Sequence, residues 1–312
     1  MAIQTLTEAN KYSTTKLQKM FIDRLAKDNM VFMSIPYQSI LGNSLTYNTW
    51  TTRSTAAFYS PGDTWTESTG VLSQATATLT ILGGDADVDN FLKATRSDQI
   101  DLKAQVLDER AKAIRETFMD TFWYGSTTSN PKQFNGLQGL ISSTTYNTVH
   151  AGSSTGSALS MLKLNEAIDL IRGEKPDMIV MTRQMRRYIG VYLNSIGSAF
   201  PREMSKWGVP VDTYAGIPVI VDDNLLNTET ASSGAYAAAT GGANTSIFIL
   251  KFGPTQVCGL QGPTGVEVIP LGDLETKDAD RTRIRWYCGM MFQDLRSCAK
   301  VDGVIAAGTV TS

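Results

Sequence analysis

The stretch from Leu45 to Leu82, LTYNTWTTRSTAAFYSPGDTWTESTGVLSQATATLTIL, constrains this chain more than any other. Its two ends alternate and are dense in Thr, aromatic and β-branched residues, which is the pattern of strands. Pro61, Gly62 and Asp63 mark a turn between them. The middle is too polar and too small-residued to bury a core. A lone two-stranded ribbon is marginal in water and needs something to lie on. A chain with such a ribbon is expected to complete itself by contact. Arg53, Phe58, Tyr59, Asp63 and Trp65 are the ribbon's candidate contact residues.

The segments around the ribbon read as follows. Residues 1–44 form an arm. In it Leu17, Met20, Phe21, Ile22 and Leu25 fall at helical spacing among Lys16, Lys19, Asp23, Arg24 and Lys27. Leu17 and Phe21 are contact candidates on that stripe, and Pro36 ends any helix before it. After the ribbon comes GGDADVDNFLKATR, then a long helix over 97–124. Ile100, Ala104, Leu107, Ala111, Ile114 and Phe118 make its apolar stripe, Ser97 is its expected N-cap, and Gly125 stops it. Such a rod is about 39 Å long. A polar Gly/Ser/Thr-rich connector follows, and past it helices and strands alternate. These are a helix over 158–172, the strand MIVM, the helix RQMRRYIGVYLNSI, and the strands IPVIV and SIFIL. The segment from Asp278 to Ala306 reads as one or two strands.

A chain of 312 residues buries about three quarters of its unfolded surface, so it needs no staples. The net charge of −2 gives no reason to expect tight nucleic-acid binding. The cysteines, Cys258, Cys288 and Cys298, are odd in number and widely spaced, and the one histidine is His150. That set does not make a zinc site, and three buried free thiols are expected. The N-terminus has neither the basic nor the apolar region of a secretory signal. No apolar run approaches the ~20 residues of a membrane span, so the chain is expected to be made and kept in the cytosol.

No motif carries catalysis. In YAGIPVIVDDNLL the adjacent Asp222 and Asp223 end a strand, and neighbours on a strand face opposite ways. They are expected to be turn formers, not a paired-carboxylate site. DADVD, with Asp85, Asp87 and Asp89, opens like a calcium loop but has Asn90 where glycine and Arg96 where glutamate is required. It reads as a strand with one acidic face. RTRIR puts Arg281, Arg283 and Arg285 on one face of a strand, suited to carboxylate partners. The two triplets share i,i+2 spacing and are expected to lie side by side, within one subunit or across two. The glycine pairs at 83–84 and 241–242 fit no phosphate-binding fingerprint. No cofactor and no metal is expected.

The order of parts resembles the major capsid proteins of tailed bacteriophages, the Hong Kong 97 fold. The likeness covers nearly the whole chain and is strongest at Thr80–Asp89, Phe134–Leu140, Gly216–Asn224 and Arg281–Asp294. It implies an α+β fold: an N-terminal arm (1–44), an extended β-hairpin loop (45–82), a peripheral domain (83–149 and 271–312) with a spine helix (97–124), and an α/β axial domain (150–270). The implied function is a non-enzymatic one. Copies of the chain, as pentamers and hexamers, would assemble in the host bacterial cytoplasm into the icosahedral shell of a virion around double-stranded DNA. That DNA would be bound without sequence specificity. The arm leaves no room for a scaffolding segment before it, so either the scaffold is a separate protein or assembly needs none; a portal is a further expected partner, and a decoration protein an optional one. Some members of that family weld their shells through a lysine in the extended loop. Here no lysine occurs between Lys27 and Lys93 and Arg53 is the ribbon's only cation. Arginine stays protonated and cannot attack a carbonyl, so an unwelded shell is expected. Two other readings fit the same chain: the shell of an encapsulin-like protein compartment, and a cytosolic α/β enzyme with a dimerisation ribbon.

Overall fold

A computed structural model describes residues 30–311 apart from 53, 97–101, 143–146, 153–155, 172, 174, 199, 205–209, 230–241, 295 and 309. The expected N-terminal helix with Leu17 and Phe21, Arg53 of the ribbon and the expected N-cap Ser97 lie outside the described residues. The first described element is a short helix, α1 (Met30–Ser34), which ends just before Pro36 as the pre-proline restriction requires.

Two sheets organise the chain. The first holds β1 (Tyr37–Ser39), β4 (Thr80–Asp89), β11 (Val257–Leu274) and β12 (Lys277–Phe292) in the order β1-β11-β12-β4. β11 and β12 form one long antiparallel hairpin, and β4 pairs along β12 from Asp89 opposite Ala279 to Thr80 opposite Cys288. Between β4 and the long helix α3 (Leu102–Tyr124) lies the short helix α2 (Asn90–Arg96). α3 lies against the first sheet, and its stripe delivers Phe118 to Trp286 at 4.7 Å between ring centroids. Phe32 of α1 meets the same Phe118 edge-on at 5.7 Å. Apolar stripe and apolar sheet face each need the other, and their burial gives one core.

The residue that follows α3, Gly125, is glycine for a steric reason. A Cβ there would fall 2.4 Å from the Phe134 carbonyl and 2.5 Å from that of Thr121. The chain turns through α4 (Leu137–Ser142) into the second sheet. Its members are β5 (Thr148–His150), β6 (Met178–Met181), β7 (Arg202–Met204), β8 (Pro210–Tyr214), β9 (Ile217–Val221), β10 (Asn244–Leu250) and β13 (Cys298–Ile305), ordered β5-β13-β10-β6-β9-β8-β7. Helices α5 (Met161–Asp169) and α6 (Arg183–Ser195) bury Leu164, Ala167, Met185 and Ile189 in its core. Each has an N-cap that accepts a backbone N–H: Ser160 from Leu162 and Thr182 from Met185. β10 is buried at every position, as a central strand covered on both faces must be. All three cysteines are free and buried.

The ribbon of β2 (Ser44–Thr52) and β3 (Val71–Thr78) forms a sheet of its own. Only its root is packed, where Ala77, with Leu45 and Tyr47 beside it, meets Ile40, Leu260 and Met291. Gly289 admits the root: a Cβ at that position would meet the Thr78 carbonyl at 2.7 Å.

The segmentation differs from the expected one at three places. The ribbon ends at Thr78, because Leu79 turns inward to bond Asn43 and the residues from Thr80 pair with β12. The sheet of β4 and β12 takes up the chain from Val257, thirteen residues before the expected boundary at 270–271. β13, expected with the peripheral segment, joins the seven-stranded sheet between β10 and β5. Long-range strand pairing decides all three, and no local pattern announces it. The helix expected over 158–172 is also shorter, Met161–Asp169, starting at the Ser160 cap.

Candidate assembly surface

The exposed end of the ribbon is an ordered structure. Ser60 and Asp63 close a turn: the Ser60 N–H donates to Asp63 Oδ2 at 2.6 Å and the Asp63 N–H to the Ser60 carbonyl at 3.1 Å. Behind the turn Tyr59 stacks on Trp65 with ring centroids 4.4 Å apart. The Tyr59 hydroxyl accepts the Thr66 N–H, and the Ser68 hydroxyl accepts the Thr55 N–H at 3.0 Å. Local bonds thus meet the polar needs of the tip. What remains outward is apolar: Phe58 is fully exposed and Trp65 is 77% exposed. Aromatic side chains carry the largest burial gain per residue in interfaces.

The two charged triplets meet within one chain. Arg281 donates to Asp87 through Nε at 2.7 Å and Nη2 at 2.6 Å. Arg283 makes the same fork on Asp85 at 2.7 and 2.9 Å. These bonds, more than the charges alone, hold the carboxyls of Asp85 and Asp87 below the ordinary carboxylate value. The third members do not pair. Arg285 stands opposite Gly83, which offers nothing, and turns instead to Glu267 of β11 at 2.5 Å. Asp89 accepts the N–H groups of Phe91 and Leu92 and caps α2. Of the contact candidates, then, Phe58 and Trp65 are presented outward. Tyr59 and Asp63 shape the tip, and the acidic and basic triplets have intrachain partners.

Asp222 and Asp223 diverge as a strand end should. Asp223 binds the Arg183 guanidinium through two bonds of 2.5 and 2.6 Å. Asp222 is buried and accepts the Trp123 indole N–H at 2.6 Å. Neither has the shared geometry of an acid/base pair.

Sequence reasoning missed one surface. β1 pairs with only Gly259–Gln261 of β11, so among the described residues the far side of β11 from Gly262 to Leu274 has no neighbouring strand. Val266, Val268 and Leu271 are exposed along it. An open edge with apolar side chains is a template for another chain. The run VEVIPL was the available signal, with Pro263 before it and Pro270 within it, residues that suit edges because they lack a donor.

No family model and no curated protein sequence matches the chain. Solved structures do. The SrpI encapsulin of Synechococcus elongatus PCC 7942 aligns with a TM-score of 0.72 at 16% identity, over 100% of this chain and 99% of that one. The capsid of an empty GTA particle aligns at 0.61 and 12% identity, over 94% and 99%. A chain of Mycobacterium phage Bobi aligns at 0.62 and 11% identity, over 96% and 99%. The chain has the Hong Kong 97 fold. The SrpI alignment covers 100% of this chain, so the ribbon and the open β11 edge lie within the matched fold.

Proposed function

We propose that the chain is the major capsid protein of a tailed bacteriophage. Copies of it associate as pentamers and hexamers and close into an icosahedral shell around double-stranded DNA. It works as a structural subunit without catalysis. Residues 1–44 act as the arm, the ribbon as the extended loop laid over a neighbour, α3 as the spine helix and the seven-stranded sheet as the centre of the axial domain. One observation carries this reading: the end-to-end structural match to shell proteins, in a chain whose ribbon has exposed aromatics and no core. Stable obligate interfaces bury about 2,000 Å² or more, and appendages supply such area at little cost in core. A separate scaffolding protein, a portal and a decoration protein complete the assembly in the host cytoplasm. DNA is held without sequence specificity, which fits a subunit of net charge −2.

Electron microscopy of the purified full chain tests the reading. Closed shells tens of nanometres wide are expected, and a small monodisperse particle would refute it. The high TM-score with the SrpI encapsulin, over essentially both full lengths, favours a second reading, a protein compartment. Nuclease-protected DNA in particles from the native source separates the two: its presence supports the virion, and protein cargo in its place supports the compartment.

A further inference from the structure

The last turn of α3 is bolted to the segment that follows β9. Asn224 donates to Asp120, Trp123 donates to Asp222, and the Tyr124 hydroxyl donates to Glu229 Oε1 at 2.6 Å while accepting the Leu226 N–H at 3.0 Å. This seam is the joint between the long helix and the seven-stranded sheet. Its inner end holds an unbalanced set of charges. Glu229 is 3% exposed, Lys300 of β13 2% and Asp302 of β13 7%. Lys300 Nζ lies 3.6 Å from Asp302 Oδ2 and acts on Glu229 as well. Two carboxylates thus share one ammonium away from water. If all three were ionised, one negative charge would remain buried and unpaired, which is strongly unfavourable.

Among the described residues, the other groups facing this cluster do not supply the missing cation. Ser246 of β10 donates its hydroxyl to Glu229 Oε2 at 2.5 Å. Tyr124 and the Cys298 thiol are both pushed well up by burial and stay neutral. Asp222, on the near side of Tyr124, adds further negative charge. His150 of β5 bonds Asp302 through Nδ1 at 2.6 Å from the exposed side and makes no bond to Glu229.

We propose that Glu229 keeps its proton in the folded chain at pH values where an exposed glutamate has lost it, and that the seam between α3 and the sheet loses stability as pH rises through that range. Burial is the chief cause that raises the Glu229 carboxyl above its ordinary value of 4.5. The two hydroxyl donors and Lys300 oppose it. The linkage has a definite sign. A group with a raised folded value contributes stability that is full below its unfolded value and is lost as pH rises through the folded one. The Glu229 contribution is therefore full below 4.5 and declines from there to the folded value, while Lys300, held below its ordinary value by burial, acts in the opposite sense only toward alkaline pH. Nothing here depends on what a shell encloses, and the unassembled chain should show it too.

Infrared spectroscopy of the full chain across a pH series tests this. A protonated-carboxyl band should persist above the pH at which exposed glutamates ionise, vanish as pH rises further, and be missing in Glu229→Gln. Over the pH range in which the band persists although exposed glutamates have ionised, the thermal midpoint of the wild type should fall relative to that of Glu229→Gln, and the difference should level off once the band is gone. If Glu229→Gln does not fold, Ser246→Ala serves. It removes a donor that favours the anion, so the band should survive to higher pH. A wild type without the band, a band unchanged in Glu229→Gln, or a band midpoint unmoved in Ser246→Ala would overturn the proton-holding claim. A wild-type midpoint that does not fall relative to Glu229→Gln over that range would overturn the loosening. None of these outcomes bears on shell formation, which electron microscopy decides separately.

Discussion

The ribbon and the seven-stranded sheet are both β-structure, and they are built on opposite terms. Every residue of β10 is buried, and Phe248 packs on Trp123 at 4.8 Å. β2 and β3 are mostly exposed along their described lengths, and the ribbon tip exposes Phe58 fully. In the sheet, side-chain burial stabilises the strands and hydrogen bonds follow. In the ribbon, hydrogen bonds and local stacking keep a shape that buries little. The lesson is that an exposed aromatic such as Phe58 adds little to the stability of the single chain, and its burial gain would come only against another surface.

Three measurements sharpen or break this contrast. The largest effect is expected for Phe248→Ala in the sheet. Removing a fully buried aromatic should cost about 3–5 kcal/mol in denaturant unfolding of the unassembled chain. A cost near zero would mean that the sheet is not the stabilising core. An intermediate effect is expected where β12 meets β4. Asp85 and Asp87 have carboxyls held below the ordinary value of 3.8 by the arginines. A depressed value contributes stability above the unfolded value, lost as pH falls through the folded one. The double variant Asp85→Asn, Asp87→Asn should therefore lose less stability than the wild type on acidification. Equal acid slopes would show that the forks contribute nothing. The smallest effect on the single chain is expected for Phe58→Ala, within about 0.5 kcal/mol as for other surface changes. The same variant should reduce the yield of shells. A large loss of chain stability with normal shells would invert the comparison between ribbon and sheet.

Much of the element structure was legible without coordinates. The i,i+3/i+4 stripe announced α3, alternation announced β2 and β3, and glycine after Tyr124 marked the helix end. Phe58 and Trp65 could be picked as contact candidates from composition because a polar ribbon has no core for them, although Trp65 also stacks on Tyr59. The matched spacing of the acidic and basic triplets foretold the pairing of two of their three members. It failed at Arg285, because Gly83 stands across from it and Glu267 is the nearer carboxylate. The β11 edge escaped notice for a related reason. Whether a strand has a neighbour on its far side depends on how far β1 runs, which is a property of the assembled sheet.

The division between the two kinds of information has a physical cause. Side-chain periodicity reflects which face of one helix or strand is buried, and that is written within ten to twenty residues. It was enough to show a ribbon without a core, a long amphipathic helix, an α/β region, and acids at a strand end that face apart. Partner choice is different, because it is settled by the collective burial of segments far apart in the chain. Asp222 looked like a turn former and is also the acceptor for Trp123, 99 residues away. β13 follows β12 in the chain yet leaves its sheet to lie between β10 and β5. The charge imbalance around Glu229 exists only because β10, β13 and the end of α3 converge there. No single segment carries it, and so only the folded chain could reveal it.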